Sequence, residues 1–282
     1  MSVPSARPRR LGGRIAAAGL TVLLSTLLAP IGGGGRAAYA AQPVPPATPP
    51  VISTPRTTTS AGAAAVRIPE PDATGRVVVP LADQVPGRMP AVGVPAGWEK
   101  IEFSGRDPAI ELNRVDGRLA LRLRSDRNSF AVHRDLVLDV RKYPILTWSW
   151  KVAKLPTGGD VREPLRDDQA AQVYVVFPRW PTPRTASDVI GYVWDTHAPV
   201  GTTIRHPRAP NVRIVVLESG PGRLDTWLRE QRNVAEDYKT LFGGQPPRAG
   251  KIALMIDTND TKSAAEAFFG ELTFSRLTIS SH

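Results

Sequence analysis

Three clusters in this 282-residue chain bring oxygen and nitrogen side chains close enough in sequence to act together. In the first, Arg166-Asp167-Asp168-Gln169 stands just before a Val/Tyr-rich run, Val173 to Phe177. Paired carboxylates at a strand entrance can bind a cation, accept sugar hydroxyls or serve as acid and base. Aspartates in such a loop equally satisfy turn amides and pair with Arg162 or Arg166. In the second, Arg232-Asn233-Val234-Ala235-Glu236-Asp237-Tyr238, Asn233 and Asp237 are four apart and share a face on a helix. That face either lines a pocket at the end of a sheet or docks the helix through arginine pairs. The third, Asp257-Thr258-Asn259-Asp260-Thr261, leaves an apolar run and enters a turn. Its alternating oxygens suit Ca2+, with Asp257, Asn259 and Asp260 as metal ligands. The same residue types also make Asx turns and helix caps. The turn is not an EF-hand, since Lys262 stands where that loop needs Gly and Phe268 where it needs Glu. Calcium takes about six to eight oxygens, so the turn needs ligands from elsewhere, Asp168 first among them.

Other catalytic signatures are missing. There is no G-x-S-x-G elbow, phosphate-binding glycine loop or H-E-x-x-H. His133, His197, His206 and His282 are scattered without metal-ligand spacing. The lack of cysteine excludes a thiol nucleophile, disulfides and Cys-based metal sites. Three readings survive. One is a non-catalytic binding site drawing on Asp167, Asp168, Trp194, Arg232, Asn233 and Asp237. Another is a polysaccharide hydrolase or lyase with Asp167 or Asp168 as acid or base. A structural envelope protein, whose polar clusters only hold the fold, is the third alternative. Trp148 and Trp150 share one strand face and read as core; Trp194, beside Tyr192, is the ring that could stack on a sugar.

The elements that must carry these residues are mostly strands. Ile145 to Val152 alternates, with Leu146, Trp148, Trp150 and Val152 facing one way and Thr147, Ser149 and Lys151 the other. Ala109 to Arg124 reads as a hairpin turning at Asp116-Gly117. Runs at 77–79, 129–139, 169–177, 189–195, 212–217, 252–257 and 272–279 bring the expectation to about ten strands. The fold class expected is all-β, a two-sheet jelly-roll-like sandwich. Leu224, Trp227, Leu228, Val234, Tyr238, Leu241 and Phe242 recur at helical intervals, predicting one amphipathic helix that packs on the sandwich and ends at Gly243-Gly244. A second short helix is expected over 263–268.

Ahead of this domain, residues 1–40 read as a signal peptide. Arg7, Arg9, Arg10 and Arg14 precede an apolar run from Ile15 to Leu28, and Ala38-Tyr39-Ala40 supplies a cleavage pattern. The expected location is therefore periplasmic or extracellular, with no transmembrane helix in the mature chain. Residues 41–75, rich in Pro, Ala and Thr, read as a disordered linker to a domain over 76–282. The net charge of +10 falls to +5 in that domain, 29 basic residues against 24 acidic. These charges are interspersed, so nucleic acid is not an expected partner. A glycan or another cell-envelope component is.

Leu146 to Val152, Asp167 to Phe177, Tyr192-Val193-Trp194, Arg232 to Tyr238, Phe242-Gly243 and Asp257 to Thr261 together resemble the bacterial secreted family catalogued as domain of unknown function 3047. The resemblance spans about Trp98 to Phe274. It implies an exported protein without an established activity, built like the jelly-roll sandwiches that bind carbohydrate, which is an analogy of fold. The family turn reads Asp-Thr-Asp-Asn-Thr, whereas Asn259 and Asp260 are exchanged here. If the third position binds metal, Asn259 offers a neutral carbonyl there and weaker binding.

Overall fold

A computed structural model describes residues 70–105, 107–179 and 187–277. The expected signal peptide, and the linker up to residue 69, lie outside the described residues. The last part of the expected linker is described: Asp72 accepts N–H bonds from Thr74 and Arg76, a turn that leads into the first strand.

Fifteen strands, numbered in chain order, form two sheets. The first sheet holds β1 (Val77–Val79), β2 (Ala91–Val92), β4 (Ala109–Val115), β5 (Arg118–Asp126), β7 (Ile145–Lys154), β12 (Leu228–Asn233), β14 (Ala264–Phe269) and β15 (Leu272–Ser275). Its order is β1-β15-β7-β14-β5-β4-β2, with β12 also paired to β7. The second sheet holds β3 (Glu99–Ser104), β6 (Ser129–Leu138), β8 (Ala171–Phe177), β9 (Asp188–Asp195), β10 (Thr203–Arg205), β11 (Val212–Ser219) and β13 (Ala249–Asp257). Its order is β10-β11-β9-β8-β13-β6-β3, and β9 with β11 is its parallel pair. The all-β sandwich with a single packed helix stands as expected.

Alternation explains which side each strand buries. Leu146, Trp148, Trp150 and Val152 of β7 are fully buried and meet Ile190, Tyr192 and Trp194 of β9 in one core between the sheets. The β4–β5 hairpin turns at Asp116 and Gly117, both at positive φ, as a two-residue hairpin turn of type I′ requires. The second sheet is apolar on its outer side as well. Tyr174, Val176, Val193, Ile214 and Met255 form a second cluster there, capped by Val161, Ala198 and Ala209 from loops. That double burial is why β8 and β9 are buried at every position.

Two expectations are corrected. The long helix is a single α1 (Val234–Phe242), and the residues before it form β12 and a short 3-10 turn at Pro221–Arg223. Trp227 and Leu228 match the helical period, but β12 instead completes the free edge of β7, pairing from Leu228↔Trp150 to Asn233↔Ile145. The expected second helix is β14. Ala264-Ala265-Glu266-Ala267 favours helix locally, yet the segment fills the gap between β5 and β7 with hydrogen bonds on both sides. Tertiary pairing overrides propensity there. No helix among the described residues is long and apolar enough to cross a membrane.

Candidate functional site

The carboxylate clusters do not converge. Asp167, Asp168, Asp257, Asn259 and Asp260 meet where β8 begins and β13 ends. Arg232, Asn233 and Asp237 meet at the far end of β8, beside α1.

At the first place the carboxylates latch loops to the second sheet. Asp168 is fully buried and accepts the backbone N–H groups of Asp260 (3.0 Å) and Thr261 (2.6 Å) and the Thr261 hydroxyl (2.5 Å). Asp167 takes His206 Nε2 at 2.6 Å, Arg208 Nη2 at 3.0 Å and the Gln169 amide at 3.2 Å. Burial works to raise the Asp167 carboxyl, but His206 and Arg208 outweigh it and hold it below the usual value. Arg208 also reaches Asp260 at 2.5 Å. Asp257, by contrast, is pushed well above 3.8 by burial and then by the charge of Asp168. Its oxygen accepts the Asn259 N–H in an Asx turn. Asp167 and Asp168, expected as acid or base, are both buried, with their oxygens engaged by loop N–H and O–H groups, His206 and Arg208. At the turn expected to hold calcium through Asp257, Asn259 and Asp260, Asp168 accepts N–H groups of Asp260 and Thr261, and Asp260 accepts from Arg208. Among the described residues no group of three or more His, Asp or Glu side chains is arranged to hold a metal ion.

At the second place Asn233 caps α1, accepting the Glu236 N–H at 3.1 Å. Arg232 grips Asp237 with Nε at 3.0 Å and Nη2 at 2.5 Å, and the Tyr192 hydroxyl donates to Asp237 at 2.7 Å. This is the docking alternative, an arginine pair tying α1 to β12 and β9. Beside it lies a feature the sequence did not suggest. Glu230 of β12 accepts the Trp150 indole N–H at 3.1 Å, and Glu218 of β11 accepts Arg223 at 3.0 Å. Burial and then Glu218's charge raise the Glu230 carboxyl, and burial raises Glu218. Two half-buried carboxylates, one on each sheet, thus lie within electrostatic reach of each other. Trp194 is corrected as a stacking ring: it is fully buried, lies 6.1 Å from Trp150 and donates to the Gly220 carbonyl.

The third place is the outward face of the first sheet, which sequence reasoning missed entirely. Trp227, expected inside a helix, is half-buried there and donates to Asp116 at 2.9 Å. Arg118 and Lys151 each stand 5.6 Å from its ring. Phe268 follows along the face, with Lys151 at 5.2 Å and Arg122 at 5.8 Å from its ring centre. Arg122 in turn bridges Glu111 (3.0 Å) and Glu266 (2.8 Å). The available signal was the outward half of the β5 and β7 alternation, Arg118, Arg122, Arg124 and Lys151. Only the pairing with β14 and the placing of Trp227 gather these into one surface.

The family model described as "Protein of unknown function (DUF3047)" matches residues 96–273, more than half of the chain. The chain belongs to this family. Membership covers the latch, the seam and most of the outward face, and it assigns none of them a role. No curated protein matches the sequence. Among solved structures, the family 11 carbohydrate-binding module of the Clostridium thermocellum cellulase Lic26A-Cel5E is similar at 7% identity and a TM-score of 0.41, covering 74% of this chain and 98% of the module. The xyloglucanase domain of the effector NopAA from Sinorhizobium fredii is similar at 10% identity and a TM-score of 0.37, covering 66% and 96%. The family 30 carbohydrate-binding module of the cellulase Cel9D-Cel44B of Clostridium thermocellum is similar at 9% identity and a TM-score of 0.36, covering 67% and 91%.

Proposed function

We propose that this domain is an exported, non-catalytic binding module for an extracellular or envelope glycan, and that the glycan lies on the outward face of the first sheet. The observation that carries the reading is Trp227, a half-exposed indole on an open sheet face, ringed by Asp116, Arg118 and Lys151. A planar ring presents its face to the C–H side of a sugar while flanking charged groups meet the hydroxyls. The other described tryptophans Trp98, Trp148, Trp150 and Trp194 are core residues. Secretion fits the signal-peptide pattern read in residues 1–40.

Affinity electrophoresis through gels containing soluble polysaccharides tests the reading. Retardation by at least one neutral glucan is expected, and Trp227→Ala should abolish it while leaving the melting temperature within a few degrees. A Trp227→Ala protein that is still retarded overturns the proposal.

One observation favours a hydrolytic second reading. Glu218 and Glu230 are half-buried and both carboxyls are raised above the usual carboxylate value, the direction a general acid requires. Release of reducing sugar from the retarding polysaccharide, lost in Glu230→Gln, would replace binding by catalysis. No release is expected.

A further inference from the structure

The outward face of the first sheet sorts its charges unequally. Its carboxylates are spoken for: Glu111 and Glu266 both pair with Arg122, Asp116 with Lys151 at 2.8 Å, and Asp126 with Arg127. Four of its cations are not. Arg118 and Arg124 of β5, Lys154 of β7 and Arg229 of β12 are all exposed. Among the described residues, none of the four has a carboxylate within ion-pair distance. Among the described residues, Asp107 has no basic partner within ion-pair distance.

The register shows why these cations form a row. Glu266 of β14 stands opposite Arg124 on one side and Lys154 on the other, and Phe268 stands opposite Arg122 and Lys151. Arg122 draws Glu266 to itself, which leaves Arg124 and Lys154 flanking the strand unpaired. Both line a groove of about 510 Å³ together with Asp107, Asp126 and Glu266 and the small side chains Ala109, Ala264 and Ala265; Glu266 and Asp126 are held by Arg122 and Arg127. From this groove a line of contacts runs through Arg122, Phe268 and Lys151 to Trp227 and Arg118. In the sequence these charges are interspersed; the sheet brings them together.

We infer that the ligand of this face is an acidic polysaccharide, its carboxylate groups met by Arg118 near Trp227 and by Arg124 and Lys154 in the groove. This inference rests on the glycan reading of the same face and adds the chemical class. Guanidinium meets a carboxylate through two parallel N–H bonds, which neutral hydroxyls cannot reproduce. Unpaired cations facing water cost nothing in the free protein and gain attraction when an anion arrives, so the interaction is salt-dependent.

The test compares polygalacturonate, a neutral β-glucan and a single-stranded homopolymer DNA, at low and at raised ionic strength. Polygalacturonate should bind at least about tenfold more tightly than the neutral glucan, the preference shrinking with salt. The double variant Arg124→Ala/Lys154→Ala should remove that preference while keeping the weaker, Trp227-dependent binding of the neutral glucan. Equal affinity for both glycans, with Trp227 still required, overturns the acidic assignment and leaves the glycan reading standing. Binding of neither overturns both. DNA bound as tightly as polygalacturonate, and lost in the same double variant, overturns the assignment in favour of an unspecific cationic face. Unchanged melting temperatures in the variants exclude loss of fold as the cause.

Discussion

Asp168 anchors a turn ninety residues away in sequence through two backbone N–H groups and one hydroxyl. Removing such an acceptor leaves donors unmet in a poorly hydrated place, at about 1–3 kcal/mol for each. Asp168→Ala is therefore expected to cost about 3 kcal/mol or more in urea unfolding; a loss under 1 kcal/mol would show that water replaces the carboxylate freely. Asp257, its neighbour, has the opposite character. Burial and the Asp168 charge raise its carboxyl well above 3.8, so the folded state holds a proton that the unfolded chain releases. That contribution is whole below the ordinary carboxylate value and is lost as the pH rises through the folded one. Asp257→Asn keeps the oxygen that accepts the Asn259 N–H and removes the charge. The variant should be the more stable protein at pH 8, and its advantage should shrink toward pH 4. A constant difference across that range would refute the assignment. Both residues stand out in the sequence as polar groups beside apolar strands, but sequence spacing does not say whether such oxygens face water or a buried N–H.

At the scale of elements, strands with clean alternation and a firm turn were legible. Leu146 to Val152 and the Asp116-Gly117 hairpin need only local patterning to specify face and register. Elements whose identity depends on a vacancy elsewhere were not. β12 carries Leu228, Glu230 and Arg232 inward, but Trp227 and Leu228 read as part of a helical stripe when joined to Val234 and Tyr238. It becomes a strand because β7 has an unpaired edge. Trp227 moved with it, and so the outward-face site was invisible. The helix that remains begins where its cap allows: Asn233 accepts the Glu236 N–H, Val234 and Tyr238 are buried, and Gly243 takes φ 75° at the end. Asn233→Ala should cost about 1 kcal/mol and loosen α1 selectively. Hydrogen exchange should show faster exchange at Glu236 and Asp237 with little change in β13. Uniform acceleration across the domain would mean that the cap supports more than the helix.

Across the whole molecule, pairing joins segments far apart in the chain. β1 pairs with β15, β5 with β14 and β7 with both β14 and β15, so the first described strand and the last lie side by side. Such topology makes folding slow, because loops must close before their contacts repay the entropy. It also gives β1 a structural weight its three residues do not suggest. Val77 and Val79 are buried against the main core, in register with Phe274 and Leu272 of β15. Burying a valine contributes about 1.5–3 kcal/mol, so β1 supplies roughly 3–6 kcal/mol, a large part of an ordinary domain's stability. Among the described residues, the exposed Asp72 turn ahead of β1 hydrogen-bonds to its own neighbours, Thr74, Gly75 and Arg76. Two truncations should therefore behave very differently. A chain starting at residue 76 should melt within a few degrees of one starting at residue 70. A chain starting at residue 81 should lose several kcal/mol and expose the edge of β15 to pairing between molecules, seen as concentration-dependent aggregation on heating. Equal melting temperatures for all three would show that β1 is dispensable and that β15 closes the sheet without it.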